Sequence, residues 1–309
     1  FHLNCGFDYR KLARSLDVIA WDMYPAWHMG KREESEWEAG MNAAFYYDVC
    51  RSLKKKPFLL METTPSVTNW APVARLKRPG VHKLGCLEAV ACGSDSVQYF
   101  QWRKGRGGFE KFHGAVVGHD GTEHTRVFHE VSEVGKTLKE MEQAAGSGSR
   151  SSVAVIFDWE NMGALEEQKS LRSENRQFEE IIKEHHEALT RNYVSVDVIG
   201  REDDFSPYRL IAAPLLYQFS EETAEKIKSY VKRGGIFVSG FYTGLVNEND
   251  LVYEGWAPHD LNEVFGVWAE EVDCLRDGDR NALRYRGKTY QASFYCEIPN
   301  RCEAKVLAS

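Results

Sequence analysis

The stretch Lys-Pro-Phe-Leu-Leu-Met-Glu-Thr-Thr-Pro-Ser-Val-Thr-Asn-Trp, residues 56–70, decides the fold of the chain that contains it. It opens with a continuous apolar run, residues 58–61, that lies between Pro57 and Pro65. Such a run is typical of a strand buried on both faces of a parallel sheet. The run ends on Glu62. Because α/β barrels place their chemistry at the C-terminal ends of parallel strands, Glu62 is a candidate catalytic carboxylate, although most acids in this position are ordinary solvated loop residues.

Helices and strands alternate on both sides of this stretch. Apolar residues recur at helical spacing before each strand, and a further helix follows the last one. This alternation predicts a parallel sheet with covering helices. The predicted strands are 18–23, 58–61 and 96–102, and the predicted helices are 7–16, 33–54, 81–92 and 125–144.

Polar and aromatic residues gather where these three strands end. The ends read Trp21-Asp22-Met23-Tyr24, Met61-Glu62 and Phe100-Gln101-Trp102. A tyrosine hydroxyl can hydrogen-bond a carboxylate and hold it ionised and oriented, while an aromatic ring packs against a sugar. The pattern therefore predicts a glycosidase nucleophile at Glu62. The alternative is that three strand ends carry aromatic residues by coincidence.

A second domain follows the flexible connector Gly-Ser-Gly-Ser at residues 146–149, so we predict domains at 1–145 and 151–309. Strand and helix patterns alternate again, which predicts an open doubly wound sheet. No Cys or Ser stands between glycines after a strand, as a nucleophile elbow requires, so a structural or oligomerising role is favoured. The predicted strands are 153–158, 195–199, 210–216 and 236–240, the helices 174–192 and 221–233, and weaker strands lie near 283–285 and 289–297.

Composition excludes several classes of function. A formal charge of −7 argues against a nucleic-acid surface, and no apolar stretch approaches the length of a membrane span.

Glu110 and His113 stand three apart but supply only two ligands, so we predict no metal site. The cysteines are odd in number and lack a Cys-x-x-Cys pair, which is typical of reduced thiols in a cytoplasmic protein. They are Cys5, Cys50, Cys86, Cys92, Cys274, Cys296 and Cys302.

Several blocks of the chain resemble the β-galactosidases of glycoside hydrolase family 42. They are Trp-Asp-Met-Tyr-Pro at 21–25, Met-Glu-Thr-Thr-Pro-Ser at 61–66, Asn-Trp at 69–70, Lys-Arg-Pro-Gly at 77–80, and most of 93–113. Together they cover most of residues 17–135 in the family's order. The second half resembles that family's trimerisation domain, a module related to glutamine amidotransferases but without their catalytic Cys.

The resemblance implies an α/β fold with two parts. The first is the C-terminal part, about strands five to eight, of a (β/α)₈ TIM barrel; the second is a doubly wound flavodoxin/glutamine-amidotransferase-like domain. Strands six, seven and eight then end at Tyr24, Glu62 and Trp102. The family is retaining, and Glu62 takes the place of its nucleophile. The residues at the positions that line the family's galactose subsite are Tyr24, Trp70, Trp102, Glu110 and His113.

The chain departs from the family in lacking the acid/base, an Asn-Glu pair at the end of strand four. The end of the family's strand five falls around Asn4, at the start of this chain. The chain is therefore expected to be a fragment that is inactive alone. The family's zinc-binding cysteines are also upstream, so no cofactor is expected on this chain. The implied partners are a galactoside substrate and two further copies in a homotrimer. An α-L-arabinopyranosidase, a galactanase-type enzyme, and a non-catalytic carbohydrate-binding or assembly module remain as alternatives.

Overall fold

A computed structural model describes residue 3 and the ranges 6–25, 35–169, 171–174 and 177–309. The chain divides into two compact units. The first consists mainly of residues 9–151 with 190–198, and the second mainly of 152–189 with 199–309. The predicted start of the barrel part at Asn4 and the first residues of the predicted helix 33–54 lie outside the described residues. The domain bounds 1–145 and 151–309 stay a prediction.

The first unit contains a three-stranded parallel sheet with β2 at its centre, in the order β1-β2-β3. Helices precede and follow each strand, as the alternation predicts. The strands are β1 (Ala20–Asp22), β2 (Phe58–Thr63) and β3 (Ser94–Tyr99). The helices are α1 (Tyr9–Ala13), α2 (Glu36–Lys54), α3 (Val81–Ala91) and α4 (Arg126–Glu140), with a 3₁₀ turn at Glu142–Ala144.

The long helix α2 covers this sheet. It begins with a capping box, in which the Ser35 hydroxyl accepts from the Glu38 N–H and the Glu38 carboxylate accepts from the Ser35 N–H. One side chain of α2, Tyr47, stacks on Phe58 with ring centroids 5.6 Å apart. Phe58 is fully buried. Burial of these rings holds β2 against the helix and so positions the strand whose far end carries Glu62.

The third strand is shorter at its end than the sequence predicts. It ends at Tyr99 rather than at residue 102. Gln101 instead pairs with a later segment of the chain, donating to Gly114 O at 3.3 Å and accepting from Val116 N at 2.9 Å. The Phe100–Gln101 peptide bond is cis. The chain thus leaves the sheet edge early and folds the loop 100–114 back over the end of β2.

The second half of the chain contains a four-stranded sheet in the order β5-β4-β6-β7, in which β4, β6 and β7 run parallel. Helix α5 was not predicted; it begins at once after β4, where the Asp158 side chain caps it by accepting from Asn161 N. The strands are β4 (Val153–Ile156), β5 (Asp197–Ile199), β6 (Leu210–Ala213) and β7 (Ile236–Ser239). The helices are α5 (Trp159–Glu167), α6 (Phe178–Thr190), α7 (Glu221–Lys232) and α8 (Asn262–Phe265).

Two antiparallel pairs end the chain. The predicted strand 289–297 is in fact two strands, because the backbone turns at Phe294, which has a φ of 86°. The first of the four strands was not predicted. They are β8 (Val267–Cys274), β9 (Asn281–Tyr285), β10 (Lys288–Ala292) and β11 (Tyr295–Arg301), with β8 paired to β11 and β9 to β10. Across the described ranges, no helix is long and apolar enough to cross a bilayer.

Candidate active site

The site is built where β1 and β2 end side by side. Asp22 lies opposite Glu62 in the parallel register, and the Met23 N–H donates to the Glu62 carbonyl at 2.9 Å. This pairing carries the chain one residue further, to Tyr24. The Tyr24 hydroxyl donates to Glu62 Oε1 at 2.5 Å. The predicted nucleophile and the predicted tyrosine are therefore in direct contact.

Tyr24 is held as a hydrogen-bond donor. Its side chain is buried, and burial is the main reason that the pKa of Tyr24 lies well above its ordinary value. The hydrogen bond to Glu62 and the negative charges of Glu62, Asp22 and Glu110 raise that pKa further. A phenol that does not ionise keeps its proton for the hydrogen bond to Glu62.

Asp22 is a second carboxyl group at this strand end. Burial, followed by the charge of Glu62, raises the pKa of Asp22 above its ordinary value. Asp22 is not among the site residues predicted from the sequence. The signal was available, because a residue opposite Glu62 in a parallel pair must lie within electrostatic reach of it.

Aromatic rings surround the Tyr24–Glu62 pair. The Trp70 ring meets the Tyr24 ring edge-on with centroids 5.5 Å apart, and the His113 ring does so at 6.0 Å. Phe100 packs edge-on against His113 at 4.9 Å. His113 is buried, whereas the Trp70 side chain is 45% exposed. One ring therefore belongs to the base of the site and the other to its open side, where an apolar sugar face could pack.

The loop 100–114 positions His113. Its backbone N–H donates to the Glu110 carbonyl at 3.0 Å, which forms a tight turn between the two predicted residues. Its Nδ1 lies 3.0 Å from the Gly114 carbonyl. Because a carbonyl only accepts, Nδ1 carries the hydrogen, and Nε2 is left to interact elsewhere.

The turn after β2 presses closely against the same loop. Gly114 N donates to Val67 O at 2.6 Å. A methyl group at Gly114 would lie 2.6 Å from Thr64 Oγ1 and 2.7 Å from Val67 O. On the outer side the Asn69 side-chain amide donates to the Phe109 carbonyl. The strand that carries Glu62 and the loop that carries His113 are thus joined at two places.

The structure brings together four of the six predicted site residues: Tyr24, Glu62, Trp70 and His113. Glu110 is exposed but close enough to act electrostatically on Tyr24. Trp102 is 66% exposed, and its ring packs near Phe128, with centroids 6.5 Å apart, on the surface. The roles of all six in substrate binding or catalysis stay predictions. Among the described residues, no group of three or more His, Cys, Asp or Glu could hold a metal ion.

This arrangement can do one kind of chemistry well. A carboxylate that is oriented by a buried phenol and faces an opening lined by rings is suited to attack an electrophilic carbon of a sugar-sized ligand. General acid catalysis needs a second group, and a retaining glycosidase places it about 5–5.5 Å from the nucleophile.

Comparison with known proteins gives the same assignment for both halves of the chain. The family model for β-galactosidase matches residues 1–141, and the model for the β-galactosidase trimerisation domain matches residues 151–309. β-Galactosidase GalA of Bacillus licheniformis is 45% identical over an alignment of 297 positions, which covers 95% of this chain and 43% of the relative. β-Galactosidase BglY of Alicyclobacillus acidocaldarius is 48% identical over an alignment of 311 positions, which covers 98% of this chain and 45% of the relative.

Solved structures agree. The β-galactosidase Gan42B of G. stearothermophilus superposes with a TM-score of 0.94 at 45% identity, covering 99% of this chain and 44% of that one. The predicted fold class, part of a TIM barrel followed by the trimerisation module, is confirmed. The chain spans less than half the length of these curated relatives. On these matches the chain belongs to glycoside hydrolase family 42, the β-galactosidase family.

Proposed function

We propose that the complete protein is a retaining β-galactosidase whose nucleophile is Glu62. The observation that supports this most directly is the 2.5 Å hydrogen bond from Tyr24 to Glu62, at the C-terminal ends of two adjacent parallel strands. GalA and BglY, which match nearly the whole of this chain, are both named β-galactosidases. Terminal β-D-galactosyl groups are the proposed substrate.

The proposed reaction has two displacements. In the first, Glu62 attacks the anomeric carbon while an acid donates a proton to the departing glycosidic oxygen, leaving a galactosyl ester on Glu62. In the second, water attacks the same carbon, gives its proton to the residue that acted as acid, and Glu62 leaves as a carboxylate. We place that acid/base outside this chain, in the remainder of the protein.

The other predicted residues have binding roles in this proposal. Tyr24 orients the carboxylate before attack, and its raised pKa keeps the hydroxyl protonated for this hydrogen bond. The Trp70 and Trp102 rings pack against the apolar face of the sugar. Glu110 and His113 hydrogen-bond substrate hydroxyls, with Nε2 of His113 as the free ring nitrogen.

The nucleophile is tested in the complete protein with Glu62→Gln and, as the matched control, Glu123→Gln at an exposed carboxylate. We expect Glu62→Gln to abolish turnover of a nitrophenyl β-galactoside and the control to leave it unchanged. A 2-deoxy-2-fluoro β-galactoside should label the wild-type peptide that contains Glu62, detected by mass spectrometry. Near-normal activity of Glu62→Gln, or a label on another residue, would overturn the assignment.

Two further measurements separate this proposal from its alternatives. The 309-residue chain by itself should show no galactosidase activity, since the acid/base is outside it. A panel of aryl glycosides should give the highest kcat/KM for the β-galactoside. Preference for the α-L-arabinopyranoside or for galactan would replace the substrate, and absence of any turnover by the complete protein would favour a carbohydrate-binding or assembly module.

The assembly and location of the protein are also proposals. The match to a trimerisation domain supports oligomerisation, and we propose a homotrimer, which light scattering of the complete protein would test.

The reaction needs no cofactor from this chain, and a structural zinc site is proposed for the remaining part. A cytoplasmic location is supported by six described cysteines that are all free thiols, Cys50, Cys86, Cys92, Cys274, Cys296 and Cys302.

A further inference from the structure

The turn that follows Glu62 is buried and rigidly bonded, although it carries mostly polar residues. Thr63, Thr64, Ser66 and Thr68 are all nearly inaccessible to solvent. Internal bonds hold part of it: the Thr64 hydroxyl donates to Val67 O at 3.1 Å and accepts from Ser66 N at 3.3 Å. A buried polar turn is stable only if its backbone groups find partners.

Lys77 supplies partners from a different part of the sequence. Its Nζ donates to the Thr64 carbonyl at 2.7 Å, and its backbone N–H donates to the Ser66 carbonyl at 3.2 Å. The Thr64 residue is 0% exposed, so its carbonyl has no access to bulk water. The bond is charge-assisted, which makes it stronger than a neutral one.

The environment of Lys77 is unusual for a lysine. Desolvation lowers the pKa of Lys77 to about 8, against the opposing influence of Cys86 and Glu130. Holding an ammonium group away from water costs free energy, and the arrangement is therefore informative about what the group contacts. One group that the ammonium contacts is the backbone carbonyl two residues beyond Glu62.

We propose that Lys77 is a positioning residue that fixes the turn after β2 and thereby the orientation of Glu62. The inference rests on the proposed function, in which Glu62 is the nucleophile. Loss of the ammonium leaves the Thr64 carbonyl buried without this partner, and the turn must shift to satisfy it. A displacement of the order of 1 Å in a reacting group costs about 100-fold in rate. Because Lys77 acts through Glu62, we expect its loss to slow the attack by Glu62 and to leave substrate binding unchanged.

The test uses Lys77→Met and Lys77→Arg in the complete protein, with Lys83→Met as the control. Lys83 pairs with Glu133 on the surface, at 2.7 Å. We expect Lys77→Met to lower kcat about 10- to 100-fold with KM within about threefold of wild type. The rate of labelling by the 2-deoxy-2-fluoro β-galactoside should fall by the same factor. Lys77→Arg, which retains a charged donor, should recover most of both rates, and Lys83→Met should change neither.

Thermal unfolding measured beside the kinetics keeps the result interpretable. All rates are taken well below the midpoint of each variant, and if Lys77→Met does not fold, Lys77→Gln replaces it with the same expectation. A folded variant with wild-type kcat, or with a raised KM alone, would overturn the inference. Failure of Glu62→Gln to abolish activity would instead overturn the proposed function, so the two outcomes are distinguishable.

Discussion

Tyr24 and Glu62, 38 residues apart in the sequence, share a 2.5 Å hydrogen bond that joins the ends of two parallel strands. The geometry follows from the register, since Asp22 opposite Glu62 leaves Tyr24 just past the end of β1. Burial of the phenol raises the pKa of Tyr24 and keeps its proton in place. Tyr24 thus orients the Glu62 carboxylate without losing its own proton to it.

Removal of that donor should weaken catalysis without disturbing the site's shape. In Tyr24→Phe the ring remains to pack against Trp70 and His113, while the bond to Glu62 is lost. A hydrogen bond to a charged group contributes about 1.5–3 kcal/mol, so we expect kcat/KM to fall about 10- to 150-fold. Steady-state kinetics on a nitrophenyl β-galactoside measure it. Tyr193→Phe, at a fully exposed side chain, is the control; equal activity of the two variants would show that the hydroxyl is not used.

The contact between Tyr24 and Glu62 could be predicted from sequence because local patterns mark the ends of both strands. An apolar run between two prolines marked β2, and parallel strands present their C-terminal ends at one edge. The predicted position of the end of β3, by contrast, was wrong by three residues. It is decided by Gln101 pairing with Gly114 and Val116, which no local pattern reveals.

Tertiary contacts also explain what else was missed. Only Phe157 and the capping residue Asp158 separate β4 from helix α5, so the sequence shows little sign of a break between the two elements. Strand β8 is only partly buried and lacks a clear alternation, which leaves little signal. The contact of Lys77 with the turn after Glu62 joins residues 13 apart through a side chain, and lysine side chains usually lie in solvent.

Gly114 should tolerate no side chain. An added methyl group would lie 2.6 Å from Thr64 Oγ1 and 2.8 Å from Val67 N, inside a closely bonded turn. Overpacking of this kind costs about 1–3 kcal/mol, so Gly114→Ala should lower the thermal midpoint and, by shifting the turn after Glu62, also lower kcat. Gly107→Ala, in the same loop with open space around it, is the control. Unchanged stability of Gly114→Ala would mean that the turn yields without cost.

Glu88 should make stability depend on pH. It lies on α3 and faces α2, close enough to Gly40 that a methyl group added there would be 3.1 Å from Glu88 Oε1. Burial raises the pKa of Glu88 from 4.5 to about 8, so the folded state binds this proton more tightly than the unfolded chain. The contribution of Glu88 to stability is therefore full below pH 4.5 and is lost as pH rises towards 8.

Because glutamine cannot ionise, Glu88→Gln should gain stability relative to wild type as pH rises from 5 to 8. Thermal midpoints at four pH values across this range measure the trend. Glu133→Gln is the control, since Glu133 is exposed and its bond to Lys83 lowers the pKa of Glu133, which places its titration below the range. A difference between Glu88→Gln and wild type that is constant with pH would contradict the prediction.

Substitution of Arg201 should strongly destabilise the second unit. Its guanidinium is buried and donates to Asp158 at 2.7 Å and to Gln218 at 3.2 Å, and it also pairs with Glu160. Arg201→Met leaves the mostly buried Asp158 carboxylate without its cation. Breaking a buried ion pair in this way costs about 3–5 kcal/mol, so we expect a large fall in the free energy of unfolding, measured in urea.

The double variant Arg201→Met with Asp158→Asn should recover part of this loss, because it removes the unpaired charge rather than adding a contact. The matched control is Lys228→Met, whose partners Glu225 and Asp260 lie on the surface at 2.7 and 2.5 Å. Solvent screens such pairs, so its loss should be about 0–1 kcal/mol. If the double variant were as unstable as Arg201→Met alone, the cost would come from lost packing of the arginine side chain, and the charge of Asp158 would not be its cause.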